Sequence, residues 1–227
     1  METTTLLILL VFLIALFFWF VRLCHKATVV DWGHGWVNFL DGFLRIFIRS
    51  YHRFKYQPIP LPEKGPALLV SNHISGLDPL LMVAACKRPV RFLIAQEQYD
   101  RFGLNWIYKQ IGCIPVQRGG RVDKAFRAAL QALEQGEVVA LFPEGAIHTK
   151  RKPAKRLKGG VGKLAEMSAA PVYPVTISGI LVEGFTVLTL LLPNRARLKS
   201  FPAIACDKLG HEKCMAKLAE LLITESS

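Results

Sequence analysis

Leu6 to Val21 is an unbroken apolar run, and no charged side chain stands anywhere between Thr3 and Val21. Coiled as a helix, the uncharged stretch is roughly 28 Å long, about the thickness of a bilayer's hydrocarbon core. A run of that length has to be hidden in lipid or in protein. Only Glu2 precedes it, Arg22 and Lys26 follow it, and no small-x-small cleavage site comes after. This arrangement favours a membrane anchor over a cleaved secretory signal. Positive charge on the C-terminal flank predicts that the N-terminus lies outside and that everything after Arg22 is cytoplasmic.

The segment from Asp31 to Tyr56 repeats apolar residues at helical spacing, through Trp32, Trp36, Phe39, Leu40, Phe43, Leu44 and Phe47, with Asp41, Arg45 and Arg49 among them. It is too polar to span. Two tryptophans on the stripe, followed by Arg49, His52, Arg53 and Lys55, fit a helix lying at the membrane interface; a core helix of the soluble domain has the same pattern. Gln57 to Pro66 holds four prolines and reads as a linker. The expected organisation is a transmembrane anchor over 1–28, an interfacial amphipathic helix over 29–57 and one globular domain over 58–227.

A chain of 227 residues has room for one such domain and little more. Its 52% hydrophobic content excludes disorder. A net charge of +12 points to an anionic partner, whether nucleic acid, an acidic substrate or an anionic lipid surface. The cysteines at 24, 86, 113, 206 and 214 are odd in number, widely spaced and without a CxxC pair. They support neither a disulfide framework nor a zinc site and suit a reducing cytosol.

After Pro66, short apolar runs alternate with helical patterns: Ala67–Val70, Val90–Ala95, Cys113–Val116, Val138–Phe142 and Val172–Ile177. Between the third and fourth, Val122, Ala125, Phe126, Ala129, Leu130 and Leu133 form a helical stripe ended by Gly136. Continuous rather than alternating apolar strands imply burial on both faces, hence an α/β fold with a largely parallel or mixed sheet flanked by helices. Further strands are expected at Phe185–Leu192 and Arg197–Ile204, and a closing helix at Leu209–Ile223.

Three strands run into polar groups: Asn72, His73 and Asp78 after the first, Arg118 after the third, and Pro143, Glu144 and Gly145 after the fourth. Parallel strands would gather them at one sheet edge, where α/β folds bind ligands. His73 and Asp78 are five residues apart, which places them about 140° apart on a helix and on opposite faces of a strand. A turn would bring them together, and Ser75 with Gly76 supplies permissive backbone; Asp78 followed by Pro79 also has the form of a helix N-cap. No GxSxG, Walker A, HExxH or GxGxxG pattern is present. A His–Asp pair without an enzyme nucleophile suits a reaction in which a substrate hydroxyl attacks. Cys113 sits in an apolar strand and reads as simply buried.

With these residues in hand, the chain resembles the glycerolipid acyltransferase family that contains the 1-acyl-sn-glycerol-3-phosphate acyltransferases. The resemblance rests on four ordered blocks: Asn72 to Pro79, Gly112 to Arg118, Phe142 to Gly145, and Pro171 to Val175. It implies that His73 is the catalytic base and Asp78 its acidic partner. It implies that Asn72, Arg118, Glu144 and Gly145 contact the acceptor, and that the region of Pro171, Val172 and Pro174 serves the acyl donor. The implied reaction moves a fatty acyl group from acyl-CoA or acyl carrier protein, as co-substrate rather than cofactor, to the free hydroxyl of 1-acyl-sn-glycerol 3-phosphate. No metal is implied.

In the family a small hydroxyl residue and an arginine usually follow the third block, whereas Ala146, Ile147 and His148 stand here. Lys150 or Arg151 can replace the missing head-group contact, or the acceptor is another lysolipid, such as a lyso-aminolipid. Seven basic side chains lie between Lys150 and Lys163. They suit anionic lipid head groups, acyl carrier protein or the phosphates of coenzyme A. Nucleic acid is not expected, since no nucleic-acid-binding signature accompanies the charge. A non-catalytic protein that binds anionic membranes through this loop is the remaining alternative.

Overall fold

The segment Ala67–Ser71 is apolar at every position but the last and buried at all five, so its side chains must be covered from above and below. The computed structural model, which describes residues 2–117, 122–149 and 156–224, shows how. Seven strands form one sheet: β1 (Lys55–Tyr56), β2 (Ala67–Ser71), β3 (Val90–Ala95), β4 (Ile114–Val116), β5 (Val138–Leu141), β6 (Val172–Ser178) and β7 (Arg197–Ser200). Their order is β1-β7-β6-β2-β5-β3-β4. All neighbours pair in parallel except β6 and β7, so the sheet is mixed.

The helices before and between the strands are α1 (Glu2–Ala27), α2 (Gly35–Ser50), α3 (Asp78–Ala85), α4 (Gln96–Tyr99), α5 (Asn105–Gln110), α6 (Val122–Glu134) and α7 (Gly160–Ser168). Towards the C-terminus come α8 (Leu188–Leu191), α9 (Cys206–Leu209) and α10 (His211–Ala219), with a wider helical turn at Glu220–Thr224. Alternate β2 side chains face different layers. Ala67 and Leu69 join the core beneath α2 and α3, while Leu68 and Val70 join the core beneath α6, α7 and α10. Burying a leucine or valine this fully stabilises the fold by about 1.5–3 kcal/mol.

The connections from β2 and β5 leave in opposite directions. From β2 the chain passes through α3 to β3, and from β5 through α7 to β6, on the far side of β2. α3 contributes to one core and α7 to the other, so the chain leaves β2 and β5 towards opposite faces of the sheet, the arrangement in which such folds place a binding crevice at the carboxyl ends of the strands.

α1 is long and apolar enough to cross a membrane, and the residues of that apolar window are not buried within the molecule. α2 folds back along its C-terminal part: Gly42 sits against the Cys24 carbonyl, too close for any β-carbon, and Thr28 donates to the Asn38 carbonyl at 2.7 Å. Trp36 and Phe43 on α2 are exposed, whereas Val37, Ile48 and the charged pair Asp41 and Arg45 are buried. The ladder with β7 begins at Lys55, ahead of the proline-rich segment.

Four expectations are corrected. Phe185–Leu192 is not a strand but a loop carrying α8, because the edge of β6 facing away from β2 is taken by β7. β7 stops at Ser200, leaving Ile204 as an isolated bridge to Val172. The closing helix is split at Gly210, whose φ of 79° separates α9 from α10. Cys206 and Cys214, at the first turn of α9 and within α10, are joined by a disulfide, contrary to the reading that the cysteines support no disulfide framework and suit a reducing cytosol. The helical turn between them makes the approach, and spacing alone did not reveal it.

Candidate active site

The residues after β2 do not continue as strand. Ser75 to Leu77 turn the chain into α3, and the turn reverses the opposed directions that the five-residue offset would otherwise impose. His73 Nδ1 lies 2.9 Å from Asp78 Oδ2. The same carboxylate accepts the Ile74 and Ser75 backbone N–H groups at 2.7 and 2.8 Å and the Ser75 hydroxyl at 2.6 Å. Asp78 is thus not merely a helix cap. It opens α3 as its first residue and gathers the turn behind it. Its side chain is sealed from solvent while that of His73 is 18% exposed. With Nδ1 committed to the carboxylate, Nε2 is the nitrogen left to exchange a proton at the crevice.

The β5 loop locks against this turn from the other side. Phe142 stacks on the His73 ring, with centroids 4.1 Å apart and planes 17° apart. His73 donates its backbone N–H to Glu144 Oε2 at 3.1 Å, and its carbonyl accepts the His148 N–H at 2.7 Å. Burial pushes the Glu144 carboxyl up to about 7; the His73 N–H opposes that rise and the nearby Asp78 charge adds to it. Gly145 turns the chain at φ 75°, a conformation that disfavours other residues, and its open face is occupied by the Lys158 side chain. Lys158 is itself held by its backbone N–H, bonded to the Pro143 carbonyl at 2.8 Å.

A third segment closes the site from the β6 side. Gly184 donates to the Ile74 carbonyl and Gly76 to the Phe185 carbonyl, at 2.8 and 3.1 Å. Gly76 faces Thr186 so closely that a β-carbon would fall 2.5 Å from the Thr186 carbonyl oxygen. The flanking side chains Leu181, Phe185, Val187 and Leu191 are exposed. On the other flank, beyond β3, Phe102 is fully exposed and Trp106 about half exposed. α2 reaches both flanks, through the Trp36 and Trp106 rings 4.6 Å apart and a bond from the Tyr51 hydroxyl to the Leu191 carbonyl.

Of the residues singled out from sequence, His73, Asp78, Glu144 and Gly145 meet at this edge. Asn72 does not offer its amide to the crevice. It is buried, donating to the Ile177 carbonyl at 3.0 Å and accepting the Ile177 N–H at 2.7 Å, so it splices β2 to β6. Pro171 and Val172 lie at the amino end of β6; Val172 is opposite Leu68 and Pro174 opposite Val70, below the crevice. Arg118, Lys150 and Arg151 lie outside the described residues. Cys113 is buried, and burial pushes its thiol up to about 12, which suits packing and not attack. Sequence reading named Ser75 for its backbone and Phe142 within the third block, and missed the Ser75 hydroxyl, the Phe142 ring and Lys158 as parts of the site. Only Ser75 left a signal, a hydroxyl three residues before the aspartate.

The class so defined is an α/β fold with an imidazole–carboxylate pair at its carboxyl edge. The chain belongs to the Acyltransferase family, whose model matches residues 53–178. It is 32% identical over 134 residues to an N-acylphosphatidylethanolamine synthase of Arabidopsis thaliana, an alignment covering 55% of this chain and 46% of that protein. It is 29% identical over 143 residues to a probable 1-acyl-sn-glycerol-3-phosphate acyltransferase of Mycoplasma pneumoniae, covering 60% and 53%. The alignments thus span about half the length of these curated relatives. The fold matches the crystal structure of the 1-acyl-sn-glycerophosphate acyltransferase PlsC from Thermotoga maritima with a TM-score of 0.68 at 19% identity, over 83% of this chain and 78% of that one.

Proposed function

We propose that this protein is a membrane-anchored O-acyltransferase that moves a fatty acyl group from an acyl thioester to the free hydroxyl of 1-acyl-sn-glycerol 3-phosphate, giving phosphatidate. The observation that carries the reading is the His73–Asp78 contact at the mouth of the crevice. Nε2 of His73 takes the hydroxyl proton as the acceptor oxygen bonds to the thioester carbonyl carbon. Asp78 holds the Nδ1–H tautomer and stabilises the imidazolium. The tetrahedral intermediate then collapses, the C–S bond breaks, and the departing thiolate receives the proton from the imidazolium. A thioester is already activated, so no acyl-enzyme is needed.

Lipid substrates fit what surrounds the pair. The exposed apolar side chains on both flanks and on α1 suit a bilayer that delivers a lysolipid sideways into the crevice. Lys158 beside Gly145 offers a cation for the phosphate, and the basic segment that begins at Lys150 fits anionic lipid, acyl carrier protein or the phosphates of coenzyme A. In this reading the span runs from an outside N-terminus to a cytoplasmic catalytic domain.

A second reading keeps the acyl transfer and changes the acceptor to another lysolipid, such as a lyso-aminolipid. Two observations favour it: the Ala146-Ile147-His148 sequence after Gly145 and the likeness to a protein named for N-acylating phosphatidylethanolamine. The deciding experiment incubates purified protein in vesicles with a labelled acyl thioester and mixed lysolipids, and identifies the products by mass spectrometry. Labelled phosphatidate, lost in His73→Ala with the fold retained by circular dichroism, is the expected result. Full activity in His73→Ala refutes the base assignment, and a labelled aminolipid in place of phosphatidate selects the second reading.

A further inference from the structure

α3 is a short rod with a different attachment at each end. Its first residue is Asp78, the carboxylate that holds His73. The carbonyls at its C-terminal end receive a guanidinium from α2; that of Val83 also accepts the Cys86 backbone N–H at 3.2 Å. Arg45 donates to the carbonyls of Ala84, Val83 and Cys86 at 2.9, 3.2 and 2.9 Å. Nε at 2.7 Å and Nη2 at 3.1 Å also form a two-pronged pair with Asp41, so Nη2 shares its two hydrogens among Asp41, Val83 and Cys86. Asp41 in turn accepts the Val29 backbone N–H at 3.1 Å, from the link between α1 and α2. The side chains of Arg45 and Asp41 are 8% and 1% exposed.

Stability does not account for such a group. Replacing a buried ion pair with apolar side chains is often neutral or stabilising, whereas a satisfied pair specifies one register. Here a one-turn slide of α2, about 5.4 Å, would strand both charges away from their partners. Apolar contacts such as Phe47 and Leu44 against the core tolerate small slips; five directed hydrogen bonds do not.

We propose that Arg45 is a positioning residue that fixes the height and rotation of the His73–Asp78 pair relative to the α1–α2 hairpin, and so relative to the membrane from which the acceptor arrives. The inference rests on the acyltransferase reading above. Arg45 bonds to Asp41 and to the end of α3 and to neither His73 nor Asp78, so the pair keeps its own internal hydrogen bonds without it. Loss of Arg45 therefore impairs transfer to a lipid held in a bilayer while sparing transfer to an acceptor free in water.

The test compares the parent chain with Arg45→Met and Arg45→Lys, all reconstituted in phosphatidylcholine vesicles. Lysophosphatidate is supplied either with a long chain in the bilayer or with a short chain dispersed in buffer. For Arg45→Met, kcat on the bilayer acceptor falls on the order of tenfold to a hundredfold with KM within about twofold, and turnover of the dispersed acceptor stays within about twofold. Arg45→Lys keeps the charge without the fork and falls between. Equal losses on both acceptors, or none, overturn the proposal.

A readout without turnover separates this inference from the function it rests on. Nitroxides on cysteines replacing Ser50 and Glu97 report the distance between α2 and the sheet edge by electron spin resonance. One narrow distance in the parent and a broadened or shifted one in Arg45→Met is expected. An unchanged distribution overturns the proposal, even if the parent proves inactive on every lysolipid and the proposed function falls by itself. Should Arg45→Met fail to fold, Arg45→Lys carries both measurements.

Discussion

The Asp78 carboxylate serves two purposes, and its substitutions separate them. Asp78→Asn retains a carbonyl oxygen for the turn but loses the charge that stabilises the imidazolium. Acyl transfer should fall by about 10²–10⁴-fold while the fold is kept, as judged by rates beside thermal melts. Ser75→Ala removes the 2.6 Å bond to Asp78 and the acceptor of the Leu77 backbone N–H, and should cost about 1–3 kcal/mol of stability, with a smaller loss of rate. Glu144 gives a pH signature. Its folded pKa of about 7 lies above the ordinary carboxyl value, so folding favours the protonated form. Its contribution to stability is full below about pH 4.5 and is lost as pH rises through about 7. Urea titrations at a series of pH values should show that decline in the parent and not in Glu144→Gln; the same slope in both would discount burial as its cause.

Among the elements, the close approaches at Gly76 and Gly42 join segments around the site. Gly76 lets the β2 turn lie on Thr186, and Gly42 lets α2 lie on α1. Both meet backbone, which cannot move aside as a flexible side chain can. Gly76→Ala should push the 184–187 segment off the turn and destabilise the protein by about 1–3 kcal/mol, with faster amide exchange at Gly184. Gly42→Ala should lift α1 from α2 while α2 stays on the core, read as new protease cleavage between α1 and α2 in a chain whose thermal melt is little changed. If the thermal melt instead fell sharply, the contact of α1 with α2 would be needed to hold α2 on the core.

At the scale of the molecule, apolar exposure is arranged around one edge. α1, the exposed side of α2, the loop with Phe102 and the loop with Leu191 all carry it, and the last two flank the crevice. Burying such side chains in lipid recovers about 1.5–3 kcal/mol each. Spin labels placed singly at Phe102 and Leu191 in vesicles should collide more with oxygen than with a water-soluble nickel complex. The opposite preference would put this edge in water and remove the sideways route for the acceptor.

The five parallel strands and the apolar span were legible in the sequence because each depends on local composition: a continuous apolar run needs cover on both faces whatever lies next to it. The need for a turn between His73 and Asp78 was legible too, since side-chain direction in regular structure follows from spacing alone. Which groups meet across the chain was not. The stacking of Phe142, the use of Asn72 as a splice between strands and the Cys206–Cys214 bond depend on strand order and helix placement. Asp41 and Arg45 show the difference most plainly. Sequence alone marks them as polar residues on an amphipathic helix, and only the carbonyls at the end of α3, some forty residues away, make their burial affordable.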